Sequence, residues 1–238
     1  MSVSVRSRTA PRRRATFERT VTHADLLLTV GGFLVATGLG GSVLALLVRL
    51  GVDPLAAVTG GIPTTVALWF LALWYALRAR GWTWTDLGLG PRPAAGRWLW
   101  QVGLAYVVVL VLATALASLL TDPGEQPNVM LGGVRFGWVA VVAIWLTVVL
   151  VGPLVEEVVF RRVLQGWLEA RVGFLLAAVL QAALFGALHV VPAAMVLTFL
   201  LGLAAALLAR GRRSLWPALA LHVLNNMIAV TVLLVTLL

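Results

Sequence analysis

Seven apolar stretches follow one another along this chain, at about residues 26–48, 55–77, 98–120, 137–158, 173–191, 193–209 and 214–238. Each is close to the ~20 residues that a helix needs to cross ~30 Å of hydrocarbon. In lipid, backbone polar groups must be satisfied inside a helix or a closed barrel, and no alternating barrel pattern is present, so these stretches are helices. The expected fold is therefore all-α: a polytopic membrane helix bundle of seven spans, or eight if the last stretch is split. Composition agrees, since 61% of the 238 residues are hydrophobic and 11% charged, with a mean hydropathy of +1.00. A soluble domain of this size has too little interior to hide so much apolar surface. Cysteine is absent, which removes disulfides, thiolate catalysis and Cys-ligated metals.

The net charge of +9 comes from 18 basic residues, all arginine. With the N-terminus inside and seven spans, the inner segments are 1–24, 78–97, 159–172 and 210–213. Those segments hold every arginine except Arg49 and Arg135. This is the asymmetry of the positive-inside rule, and it points to a plasma-membrane protein with a cytoplasmic N-terminus. Residues 1–24 read as a disordered basic arm that meets anionic lipid and sets topology; no nucleic-acid partner is expected. Arg13-Arg14 has the look of a twin-arginine signal, but the apolar run behind it is too long for a cleavable one. Trp82, Trp84, Trp98, Trp100, Trp167 and Trp216 lie near inner helix ends and suit an interfacial belt. Gly38, Gly41 and Gly202 are expected to allow close helix packing.

Charged side chains within a bilayer cost several kcal/mol, and most spans avoid them. The C-terminal half carries Glu156, Glu157, Arg161, His189, His222, Asn225 and Asn226. Glu157 and Arg161 are four apart and share a helix face, whereas Glu156 is turned away by about 100°. His222 and Asn226 share a face, as do Phe185 and His189. Gly152-Pro153 is expected to kink the fourth span. Counting from the turn near Val172, Glu156 and His189 lie at similar depths, roughly 24–26 Å along their helices. One carboxylate, two imidazoles and an amide can thus converge. Such a cluster suits water activation, with the carboxylate as base and the other groups orienting water or donating to an oxyanion. Glu156, His189 and His222 could equally hold Zn2+ with an open position, so a metal cofactor and none remain alternatives.

Three motifs carry a family resemblance: Glu156-Glu157-Val158-Val159-Phe160-Arg161 (EExxxR), Phe185 to His189 (FxxxH) and His222 to Asn226 (HxxxN). In order and spacing they resemble the CPBP family (CAAX proteases and bacteriocin-processing enzymes, also called Abi), which includes the type II CAAX prenyl endopeptidase. The resemblance covers about residues 135–230, and Asp86-Leu87-Gly88-Leu89 is similar to a recurrent family stretch. It implies a glutamate-dependent intramembrane endopeptidase, often labelled a metalloprotease. Glu156 would be the base and Glu157 would be held by Arg161. His189, His222 and Asn226 would position water and stabilise the oxyanion. Peptides or membrane proteins would be the substrates.

The organisation that follows is a basic arm (1–24), N-terminal spans (25–130) and a catalytic membrane core (131–238). Two other functions share these features. A proteolytically silent scaffold or immunity protein would keep the fold. A proton-coupled transporter would use a Glu and His path, but it usually shows inverted repeats, and here the unusual charges lie in one half. HExxH, GxGD and G-x-S-x-G patterns are missing.

Overall fold

The computed structural model describes residues 16–91, 98–120, 135–189 and 191–235. Seven helices form among them: α1 (His23–Arg49), α2 (Pro54–Ala79), α3 (Leu99–Leu120), α4 (Trp138–Val172), α5 (Phe174–Ala187), α6 (Pro192–Arg212) and α7 (Trp216–Val235). Six of these are long and apolar enough to cross a membrane, and α5 is a shorter apolar helix. The all-α polytopic bundle read from the sequence is therefore present. Helix α4 is its axis, touching α1, α2, α5, α6 and α7, while α3 packs on α6 and α7. The outward faces stay apolar, with Leu34, Val111, Leu175 and Val232 among many exposed large side chains. That surface requires lipid around it.

Helix α4 does not run as a regular α-helix. Residues Thr147–Val151 and Glu157–Leu164 are π-helical, with an α-turn at Gly152–Glu156 between them. The kink expected at Gly152-Pro153 takes this form because Pro153 has no N–H to donate back up the helix. The amide of Gly152 reaches Thr147 O instead, five residues back. Helix α7 completes the repair: Asn226 Nδ2 donates to the Val148 carbonyl at 2.9 Å.

The arginine-rich end is more ordered than a free arm. Residues 1–15 lie outside the described residues, but from Thr16 the chain is packed. Thr16 and Val21 are buried, and Thr22 caps α1 through a reciprocal box with Asp25. Arg19 donates to the carbonyls of Arg80 and Gly81 and pairs with Asp86 at 3.1 Å. Arg80 pairs with the buried Asp25 at 2.9 Å. The expectation of disorder over 1–24 is thus corrected for 16–24, whose polar groups satisfy exposed carbonyls at the α2 end. The tryptophans divide similarly. Trp84 and Trp100 are exposed, whereas Trp82 donates to Asp25 and Trp216 to Gly90 O.

Among the glycines, Gly202 behaves as expected, since a Cβ there would lie 3.0 Å from Ala182 of α5. Gly38 and Gly41 do not: both face open space, and Gly40 is the residue that lies against Thr65 of α2. One residue of error is about 100° of helix, enough to turn the predicted contact outward.

The 83–90 loop ties the two halves together. Leu215 N and Ser214 Oγ both donate to Gly88 O, and Arg162 donates to Asp86 O. Gly88 has φ +73°, and a Cβ on it would overlap the Phe17 ring and lie 3.2 Å from Leu215 N. Gly88→Ala is expected to cost about 1–3 kcal/mol, read as a lower Tm of the purified protein. The carboxyl of Asp86 sits below its ordinary value, chiefly because the Thr83 amide donates to it, then through the Thr83 hydroxyl and Arg19. A depressed carboxyl stabilises the fold above its unfolded value and loses that effect as pH falls through the folded one. The Tm gap between wild type and Asp86→Asn should therefore be widest near neutrality and close in acid.

Candidate active site

The candidate site lies where the lower π-segment of α4 faces α5 and α7. Glu157, Arg161 and His222 are almost wholly buried, with side-chain exposures of 1%, 0% and 3%. Arg161 Nε stands 3.3 Å from Glu157 Oε2, as the four-residue spacing predicts. Glu157 Oε1 is 2.9 Å from His222 Nδ1, a bond in which the imidazole donates. His222 Nε2 then faces Glu156 Oε2 at 3.4 Å. One imidazole thus bridges two adjacent carboxylates, and Nδ1–H donation to Glu157 fixes the tautomer that leaves Nε2 toward Glu156.

Phe185 organises the rest. Its ring lies edge-on to both imidazoles, with centroid distances of 5.0 Å to His189 and 5.6 Å to His222. The Arg161 guanidinium sits 4.2 Å from the same ring's centroid, so the charge is covered by a π-face. Arg161 Nη1 and Nη2 are buried with no hydrogen-bond partner among the described residues. His189, in the turn after α5, donates from Nδ1 to Phe185 O at 2.9 Å, which directs Nε2 away from the backbone. Glu156 is within electrostatic reach of His189, His222 and Arg161 together. Its side chain keeps 15% exposure, where Glu157 keeps 1%.

All six candidate residues therefore gather in one region, but Asn226 makes a contact its motif did not suggest. Its Nδ2 is given to Val148 O, and its oxygen accepts from Asn225 Nδ2 at 3.0 Å. Asn225, which makes that bond, is itself buried. The zinc set does not assemble: among the described residues no group of three or more His, Asp or Glu is placed to hold a metal ion. Of Glu156, His189 and His222, the one close approach among the described residues is that of Glu156 to His222. Two buried residues escaped the sequence reading. Gln181 on α5 donates to Gly202 O, and Arg162 turns away from Arg161 to serve the 83–90 loop. The signal for Arg162 was its place one step past Arg161, which points it at a different neighbour.

Fold and site together define a helical membrane protein with an acid–imidazole centre set into the bundle. Residues 138–228, which contain all three motifs, match the family model described as type II CAAX prenyl endopeptidase Rce1-like. The match spans less than half of the chain, so it is this stretch, with its three motifs, that is similar to the type II CAAX prenyl endopeptidases. No curated protein and no solved structure matches the chain.

Proposed function

We propose that the protein is a glutamate-dependent intramembrane endopeptidase that cleaves a peptide bond near the cytoplasmic membrane face, with Glu156 activating water. The observation that supports this best is the division between two neighbouring carboxylates. Glu157 is committed to Arg161 and His222 and is closed to water, so it acts as a positioning group. Glu156 has no guanidinium within pairing distance, retains some exposure and faces an imidazole nitrogen.

In the reaction, Glu156 takes a proton from water as the oxygen attacks the scissile carbonyl carbon. The carbonyl electrons move onto its oxygen, which His222 Nε2 or His189 Nε2 can meet when protonated. Collapse of the tetrahedral intermediate breaks the C–N bond, and the proton on Glu156 passes to the departing amine. Asn226, through Val148, holds α7 against α4 so that His222 keeps its place. The inward arginine bias supports a cytoplasmic N-terminus in the plasma membrane.

The test is the reconstituted protein with a farnesylated CAAX peptide and with unprenylated membrane peptides, read by mass spectrometry. Cleavage of either class that is lost in His189→Ala and in His222→Ala is the expected result. A chelator series run beside it distinguishes metal-assisted from metal-free hydrolysis. Cleavage that persists in both histidine variants would end the proposal.

A further inference from the structure

At the arginine-rich end, away from the acid–imidazole centre, the structure holds a cavity of about 890 Å³. Thr16, Arg162, Gly166, Arg171, Phe174 and Arg210 are among the residues around it. Two independent features make it a place for an anion. One is Arg162, only 1% exposed. Its Nε donates to Asp86 O and its Nη2 to Arg19 O, yet Nη1 donates to no described residue. That nitrogen lies beside Gly166 on the cavity wall, where a Cβ would come within 3.2 Å of it.

The other feature is the start of α5. Gly173 is its N-cap and offers no side-chain acceptor, and the first intrahelical bond runs from Ala177 N to Gly173 O. The amides of Phe174, Leu175 and Leu176, all at the cavity, precede that bond and have no helical acceptor. A helix N-terminus with free amides favours a negative group.

The charges nearby leave a positive excess. Glu169 is the carboxylate on the wall, and both its oxygens are taken, by Arg210 at 2.6 Å and Thr16 at 2.8 Å. Asp86 and Asp25, the other acids near Arg162, are paired with Arg19 and Arg80. Arg162 and Arg171 are left over. Arg171 stacks on Trp167 at 3.8 Å from the ring centroid, with Nη1 on Trp167 O. The rim is apolar: Leu175 is 75% exposed and Leu176 50%, beside Val172. A ligand with an anionic head and a greasy body fits that sequence of surfaces.

We propose that this cavity binds the phosphate group of an acidic phospholipid, with Arg162 Nη1, Arg171 and the free amides of α5 on its oxygens and acyl chains over Leu175 and Leu176. The site is separate from the peptidase reading and stands without it. A free phosphate anion presents the same chemistry, so the test carries an arm for each source.

The full-length protein in neutral detergent is titrated with short-chain phosphatidylglycerol, short-chain phosphatidylcholine and inorganic phosphate, following Tm. Saturable stabilisation by phosphatidylglycerol, with little from phosphatidylcholine, is expected; saturation by inorganic phosphate alone would identify the free anion as the ligand. Thr20→Glu, which places a carboxylate at an exposed wall position, and Arg171→Ala should each raise the apparent Kd about tenfold. Both leave the internal bonds of Arg162 in place. No stabilisation by either anion, equal response to phosphatidylcholine, or an unchanged Kd in both variants would overturn the proposal.

Discussion

Glu156→Gln is expected to lower peptide cleavage by about 10²–10⁴-fold, the usual worth of a positioned general base, while leaving Tm close to wild type. The substitution keeps the shape of the side chain and removes its capacity to take a proton. Little structure depends on that capacity, because among the described residues the 3.4 Å approach to His222 Nε2 is the one close polar contact of the Glu156 side chain. The effect should fall on kcat with little change in KM, as for a group that acts in the transition state. Glu157→Gln provides the contrast. It strips the charge that faces Arg161 and weakens the acceptor of His222 Nδ1, so it should lose activity and stability together. Normal turnover by Glu156→Gln would remove that residue from the mechanism.

Arg161→Met should be the most damaging single change to stability. It leaves Glu157 enclosed with only the imidazole of His222 as partner. Removing one side of a buried ion pair typically costs about 3–5 kcal/mol, for this size of chain roughly a 10 °C fall in Tm. Methionine fills part of the volume against Phe185 and Gly202, so the loss reports charge more than cavity. Adding Glu157→Gln to Arg161→Met should recover part of the loss, because the stranded anion is then gone. A single variant with wild-type Tm would show that the guanidinium is dispensable. A double variant no more stable than the single would assign the cost to packing.

Much of this arrangement was legible beforehand because hydrocarbon imposes simple rules. Helix number came from span length, and the pairing of Glu157 with Arg161 came from the 3.6-residue turn. That Glu156 and His189 could meet followed from rise per residue counted from the turn between their helices. Rotation was harder to read. The choice of Gly40 over Gly38 and Gly41 depends on which neighbour α2 presents, and periodicity alone does not carry that. Asn226 was placed in the right region but with a contact nobody could read from its motif, since the demand comes from Pro153 on another helix. The ordering of Thr16–Thr22 was hidden for a related reason. Arg19 is held by the backbone carbonyls of Arg80 and Gly81, and carbonyls have no sequence signature.

The wide turns of α4 set the aim of the acid pair. A π-turn takes up an extra residue without adding a full step of rotation, so everything beyond it is re-clocked relative to the lipid-facing stretch before it. Winding Thr147–Val151 as ordinary α-helix with all its residues kept would swing positions 156 and 157 by nearly one residue's step, about 100°, toward other neighbours. The spare residue in that segment therefore acts as a phase adjuster: it lets one continuous rod answer to the bilayer along one part of its length and to His222 along the next.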